Sequence, residues 1–292
     1  MKKTGVSDWL MCAVIAAYAL FCLVPMLLVV AVSLSDEATL MREGFQLIPK
    51  KFSIAAYALL FKNSSTVLNS YLVTIFVTAS GTALAVAVTM GAAFCLANKQ
   101  VYYRNVLAFF FFFTMLFSGG LVPWYLINSY LGLRNNLFAL IVPSLLFNAF
   151  NMFLVRNFMA GIPDSLMESA RIDGAGDTGI MLRIYLPLCV PVLAAVSLFY
   201  AIGYWNDWWN AIMLVEDSKL YPLQYFLFKL QSDLQMLRDI QQMTGTGGAF
   251  VLLPTESLKM ATCVLTIGPI LLLYPFLQRY FIHGLVIGSV KG

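Results

Sequence analysis

The sequence is short of charge. Of 292 residues only 18 are Lys or Arg and 14 are Asp or Glu, 11% together, against roughly a quarter in a typical soluble protein. A soluble domain of this length cannot cover its surface with so few charges. There is a single histidine, His283, with no evident ligand partners near it in the sequence, which speaks against a metal centre. The five cysteines (Cys12, Cys22, Cys95, Cys189 and Cys263) form no CxxC pair and lie in or beside apolar segments. They read as small buried hydrophobes, without a redox or metal role. The sequence has no basic run of the kind nucleic acid requires, no GxxxxGK[ST] phosphate loop, no low-complexity tract and no internal repeat.

Apolar residues are what it has instead. They make up 61% of the chain, with 23 Phe and 14 Tyr, which excludes disorder. Lipid as the solvent accounts for this, because an apolar face in a bilayer needs no water-facing counterpart. About 20 apolar residues span the hydrocarbon as a helix. Six segments qualify: Trp9–Leu34, with a kink expected at Pro25; Val67–Ala97, whose Ala, Thr and Gly suit close helix packing; Asn105–Ile127, carrying Phe109–Phe113; Leu137–Phe158; Leu188–Leu214; and Leu258–Leu277. The first follows Lys2 and Lys3, is longer than a signal-peptide core and lacks a small-residue cleavage site, so it reads as a retained helix. The expected fold is an all-α membrane protein with six transmembrane helices in a single domain.

The connections are uneven. Ser35–Thr66 is polar, Asn98–Arg104 and Asn128–Asn136 are short, and Arg156–Pro187 and Val215–Ser257 are long, the last with Gly245, Gly247 and Gly248. Six spans place both termini on one side of the membrane. Positive charge does not choose the side, since nine Lys/Arg fall on each. The short basic Asn98–Arg104 link favours its own side, with the termini, as cytoplasmic.

The most informative segment is Gly161–Pro191. Pro163 suits a first helical turn. Leu166, Ala170 and Ile172 form an apolar stripe interleaved with Glu168, Arg171 and Asp173, and Gly174 and Gly176 stop the helix. A second short helix starts near Asp177 and ends before Pro187. Two readings fit an amphipathic pair of this kind. One is interfacial padding of the bilayer. The other is a docking element, in which the small residues Ser169, Ala170, Gly174 and Ala175 admit a partner groove and Glu168 and Asp173 add ion pairs or caps.

The letters of this segment resemble the EAA loop of ABC importer permeases, a pattern of EAA, three residues, G, nine residues and I-x-L-P. Here Glu168, Ser169 and Ala170 are followed by Gly174 at the family spacing, then by Ile184, Leu186 and Pro187. Ser169 replaces the middle alanine of the pattern and is also small. The flanking ARIDGAG and IYLPLCVP are similar to the carbohydrate (maltose-type) branch, and six spans fit the shorter subunit of such permease pairs. Asn69–Ser70 at the head of the second span and the Arg279–Gly292 tail, ending in Lys-Gly, add to the likeness. The tail is most similar to a complex-oligosaccharide subgroup that often works beside lipid-anchored binding proteins.

The resemblance implies the type I ABC importer permease fold and a multi-pass protein of the bacterial cytoplasmic membrane. It implies alternating access driven from a cytoplasmic coupling helix, with Glu168, Ser169, Ala170, Asp173, Gly174 and Ala175 in a cleft of a separate ATPase subunit. The implied partners are a second, different permease, two ATPase subunits and an extracytoplasmic solute-binding protein. No cofactor is expected on this chain, since ATP and Mg would be held by the ATPase subunits. No catalytic residue is expected.

Sugars bind through hydroxyl hydrogen bonds and stacking on aromatic faces. Tyr204, Trp205, Asn206, Asp207 and Trp208 in the fifth span suit that chemistry, and an interfacial aromatic belt suits the same residues. Asp207, an acid at membrane depth, points toward a cavity or a partner. Asn148 and Asn151, one turn apart, either line the pathway or hydrogen-bond between helices. The Val215–Ser257 loop either probes the binding protein or is a mobile loop. A membrane-embedded enzyme is disfavoured because the spans carry no His/Asp/Glu cluster. An ion-coupled transporter needs intramembrane ionisable groups, and only Asp207 is a candidate.

Overall fold

The computed structural model describes residues 6–62, 64–244 and 255–269. The Gly245–Gly248 stretch, His283 and the 279–292 tail lie outside the described residues. The described chain is helical and has no strand among those residues beyond one isolated Ser35–Phe52 bridge.

Among the described residues, two helices are long and apolar enough to cross a membrane unbroken. The first is α1 (Val6–Ser33), which continues through Pro25. Its apolar side chains are exposed from Trp9 to Leu27, as lipid-facing side chains are, and burial begins at Leu28 and is complete at Val32. After α2 (Glu37–Glu43) and α3 (Ala55–Phe61) comes the second, α4 (Ser64–Ala97). At 34 residues it is about 50 Å long, well beyond the roughly 30 Å hydrocarbon core.

The third, fourth and fifth expected spans are broken, and the sixth, Leu258–Leu277, lies partly outside the described residues. The third divides into α5 (Arg104–Leu116) and α6 (Leu121–Tyr130), bent by 119°. The break falls at Gly119–Gly120, where Gly120 has φ +82°, a left-handed conformation that glycine adopts without steric cost. The fourth is the short helix α7 (Phe138–Ile141), an irregular stretch and α8 (Ala149–Met159), so the continuous Leu137–Phe158 helix is corrected. The coupling region holds α9 (Asp164–Ile172) and α10 (Asp177–Leu188). The fifth span is α11 (Val190–Trp205), set at 84° to α10, with α12 (Trp209–Leu214) after a break. The long segment that follows contains a 22-residue helix, α13 (Leu223–Thr244), where the sequence suggested a loop. The last described helix, α14, covers 256–269.

The chain divides into two compact units. Among the described residues, one comprises 6–62, 64–67, 227–244 and 255–269, the other 68–226. In the second, Val77, Ala85 and Phe94 of α4 pack with Met152 and Val155 of α8 and with Val196, Tyr200 and Tyr204 of α11. The cysteines depart from the expectation of burial. Cys189 is buried, whereas Cys12, Cys22, Cys95 and Cys263 are exposed on their helices.

In the first unit a carboxylate closes a helix end. Glu37, at the start of α2, is 6% exposed. Its Oε1 accepts from Thr255 Oγ1 (3.1 Å) and the Glu256 N–H (2.9 Å), and its Oε2 from the Ser257 N–H (3.0 Å) and Oγ (2.8 Å). These N–H groups belong to the first turn of α14, which has no intrahelical acceptors for them. The carboxylate also sits where the helix dipole favours an anion. Arg238 of α13 joins from behind, donating to Thr255 Oγ1 at 2.8 Å.

Candidate functional site

The coupling segment leaves α8 at Met159, turns at Gly161 and re-enters helix at Asp164, directly after Pro163. Pro163 has φ −59°, the value its ring imposes. The helix ends as the glycine pattern foretells. Gly174 takes φ +83°, and its N–H and that of Ala175 return to Arg171 O (3.0 Å) and Ala170 O (2.9 Å). A Cβ on Gly174 would meet nothing within 4 Å, so it is the backbone angle that calls for glycine.

Met167 is the buried residue of α9, and Ala170, one turn on, is half-buried. The apolar stripe is therefore narrower than Leu166, Ala170 and Ile172. Leu166 is exposed, and Ile172 is 86% exposed. Glu168, Ser169, Asp173 and Gly174 are exposed as well, and Ala175 is half-buried. The structure thus brings together all six residues singled out in this loop, with one face of α9 held and the other open. Two ion pairs brace the segment. Lys99, just after α4, pairs with Asp164, and Arg171 Nη2 meets Asp177 Oδ1 at 2.8 Å, joining α9 to α10.

The second coupling helix runs further than the sequence suggested. It passes through Ile184, Leu186 and Pro187 to Leu188 by widening into a π-type turn over Met181–Tyr185. A proline inside a helix lacks one N–H and crowds the carbonyl four residues back. A local π turn accommodates both, and such turns cluster at functional positions.

The irregular stretch between α7 and α8 is non-helical backbone inside an apolar region. Such backbone is tolerated where it is buried in protein or lines a cavity. Here α11 and α12 supply its missing partners. Tyr204 donates to Ile141 O (2.8 Å), Asn210 Nδ2 donates to Pro143 O (3.1 Å), and Tyr200 Oη accepts from the Asn148 N–H (3.1 Å). Tyr200 Oη also lies 2.7 Å from Thr89 Oγ1 of α4. The two tyrosines are four residues apart and share one helix face. Ser144, at φ +63°, receives Trp124 Nε1 on its hydroxyl at 3.0 Å.

This arrangement places the remaining candidates. Asn148 caps α8, its Oδ1 accepting from the Asn151 N–H at 3.1 Å. It is exposed, whereas Asn151 is buried. Tyr204 is 1% exposed and Trp205 6%, so both pack inside the fold. Asn206 is exposed and accepts from Gln224 Nε2 at 3.0 Å. Asp207 turns back on its own chain, accepting from the Asn210 N–H (3.2 Å) and Nδ2 (2.8 Å). Trp208 is half-exposed and packs edge-on against Trp209, ring centres 5.8 Å apart.

Asn148 borders a cavity of about 600 Å³ that the sequence reading did not anticipate. Phe110, Phe111, Thr114 and Met115 of α5 form one wall, and Phe147, Ala149 and Phe150 the other. The Phe109–Phe113 run was visible in the sequence. The half that faces it appears only once α8 starts at Ala149 and not at Leu137.

Residues 101–286 match the family described as binding-protein-dependent transport system inner membrane component. Among similar proteins is the polygalacturonan/rhamnogalacturonan transport system permease protein YtcP of Bacillus subtilis, 38% identical over 99% of this chain and 100% of the relative. Protein LplC of the same organism is 40% identical over 92% of this chain and 90% of the relative. A solved bacterial ABC transporter involved in import of the acidic polysaccharide alginate contains a chain with TM-score 0.79 and 29% identity, covering 96% of this chain and 100% of that one. With the motif at Glu168–Pro187 and the open face of α9, these matches settle the family: the chain belongs to the binding-protein-dependent transport system inner membrane components, the non-catalytic permease subunits of ABC importers.

Proposed function

We propose that this chain is one half of the permease pair of an ATP-driven oligosaccharide importer in the bacterial cytoplasmic membrane, with both termini and the Arg156–Pro187 loop on the cytoplasmic side. A second, different permease completes the pathway, two ATPase subunits bind ATP and Mg, and an extracytoplasmic binding protein delivers the sugar. The observation that carries the reading is the open face of α9. Glu168, Ser169, Asp173 and Gly174 are exposed on a helix whose other side is anchored by Met167 and ended by Gly174. The ATPase cleft takes this face, and the Lys99–Asp164 and Arg171–Asp177 pairs pass its displacement to α4 and α10.

The sugar reading is supported by relatives named for polygalacturonan, rhamnogalacturonan and alginate. The cavity beside Asn148 has suitable chemistry, with phenyl faces for pyranose C–H groups and a carboxamide for hydroxyls. Galacturonan fragments are therefore the first substrates to assay. The test is uptake by the assembled transporter in proteoliposomes. Glu168→Lys or Gly174→Asp abolishes uptake while the chain still inserts. Uptake and ATPase stimulation at the wild-type level in both variants would overturn the coupling assignment.

A further inference from the structure

The coupling segment meets α4 through two contacts that differ in kind. One is the Lys99–Asp164 ion pair, whose side chains are 65% and 46% exposed. The other is buried. Tyr185 of α10 sets its ring edge-on against Phe94 of α4, with ring centres 5.2 Å apart and planes at 77°. Both residues lie in the core that also holds Met159 of α8, Met167 of α9 and Ile180 of α10. An exposed ion pair is screened by water, and its long side chains can swing with little loss. A close-packed aromatic pair has no such slack. The ring contact is therefore the firmer link between the segment and α4.

The π turn is what brings Tyr185 to this place. The buried positions along the stretch are Ile180, Tyr185, Cys189, Leu193, Val196 and Tyr200. Steps of three and four keep to one face of an α-helix. The first step is five, the span of the bond from the Leu186 N–H to Met181 O that closes the turn. A regular α-helix from Ile180 would give the buried place to Ile184 and turn Tyr185 about 100° away from it. The hydroxyl end of Tyr185 lies in the field of Asp164 and Arg171 of α9 and of Lys99. Burial first, and then the Asp164 carboxylate, push its ionisation above the usual phenol value, so the group stays neutral. One side chain thus reaches from the charged residues of the coupling helix to the core of α4.

We propose that Tyr185 is a positioning residue of the coupling step, passing displacement of the coupling segment to α4 through its edge-to-face contact with Phe94. It occupies the x of the I-x-L-P pattern, so the motif letters gave no reason to single it out. The proposal rests on the coupling reading of α9. It assigns to Tyr185 no contact with the ATPase or with sugar.

The test uses the complete transporter in proteoliposomes, with its binding protein and a galacturonan oligosaccharide as probe, and reads uptake and ATP hydrolysis together. Tyr185→Leu and Phe94→Leu each lower uptake per ATP hydrolysed by about five- to tenfold, with basal ATPase activity and assembly of the complex unchanged. The double variant is no worse than the more affected single one, because both changes remove the same contact. Tyr185→Phe keeps the ring and restores the wild-type ratio. A wild-type ratio in Tyr185→Leu overturns the proposal, and the coupling reading stands as long as Glu168→Lys still abolishes uptake. A parallel fall of uptake and ATPase activity in both Leu variants, with a lowered unfolding midpoint, also overturns it and leaves Tyr185 a packing residue. Wild-type uptake in Glu168→Lys removes the coupling reading itself, and this proposal with it.

Discussion

The phenol ring of Tyr204 lies against Gly81. A Cβ built at Gly81 would come within 2.5 Å of Tyr204 Cζ and 2.7 Å of Cε1. The ring has no room to retreat, because Tyr204 is 1% exposed and its hydroxyl is fixed on Ile141 O. Gly81 therefore sets how closely α11 approaches α4, and through Tyr204 it supports the broken α7–α8 stretch. Gly81→Ala overpacks this contact and is expected to destabilise the fold by about 1–3 kcal/mol. Tyr204→Phe leaves Ile141 O without its donor, at a cost of about 1–3 kcal/mol. Thermal unfolding of the purified chain checks both, and the two effects should not add, because Tyr204 is common to both. A Gly81→Ala variant with an unshifted midpoint would show that the helices separate freely.

At Gly174 the constraint has another origin. Its φ of +83° is costly for an L residue, while the space around it is open, so tolerance should follow backbone preference and ignore size. Asn visits the left-handed region more readily than other non-glycine residues. Uptake is expected to fall in the order Gly, Asn, Ala, Val, with Ala costing about 1–2 kcal/mol in the turn. Circular dichroism checks that the helices persist. Equal activity of the Asn and Val variants would remove the left-handed turn from the argument.

The coupling loop was the most legible part of the chain because its signals are local. Pro163 opens α9, Gly174 closes it and Asp177 starts α10 within the loop itself. Only the far end escaped, where the π turn carries α10 past Pro187. The spans were legible as apolar runs and illegible as shapes. A segment apolar on every side has no 3.6-residue rhythm to interrupt, and Pro143, the one local signal two residues after Ile141, did not by itself separate a helix that continues, as α1 does through Pro25, from the break found here. It exists because Tyr200, Tyr204 and Asn210, some 50 to 70 positions later, satisfy its backbone. The Gly119–Gly120 break was available as a turn signal inside the third run. The α13 helix was hidden by its polar stripe, which reads as loop until its spacing is counted.

Asp207 tests whether charge or capping matters at the break between α11 and α12. Its carboxylate accepts from the backbone and side chain of Asn210 at the start of α12, as a capping residue does. Asp207→Asn keeps a capping oxygen and removes the charge, and uptake is expected to stay near wild type. Asp207→Ala removes the cap and lowers stability by about 1 kcal/mol. Concentration-dependent uptake with thermal unfolding separates the two. Loss of uptake in Asp207→Asn at unchanged stability would assign the charge to transport.

Glu37 carries the last prediction. All four groups around its carboxylate are donors: the hydroxyls of Thr255 and Ser257 and the N–H groups of Glu256 and Ser257. Glu37→Gln keeps the shape but turns an NH₂ toward a site that offers no acceptor except by hydroxyl rotation, and the Ser257 N–H cannot rotate. Each buried donor left unpaired costs about 1–3 kcal/mol, so Gln is expected to destabilise the first unit by that amount and Ala by more. The amides of Glu256 and Ser257 should then exchange hydrogen faster than in wild type, because opening the first turn of α14 no longer breaks the clamp. Glu43, at the other end of α2, pairs with Lys50 at 2.6 Å, with both side chains exposed. Its replacement by Gln serves as a control on the same helix, with no measurable shift expected. If Glu37→Gln and Glu43→Gln exchange and unfold alike, the carboxylate is not what fixes the start of α14.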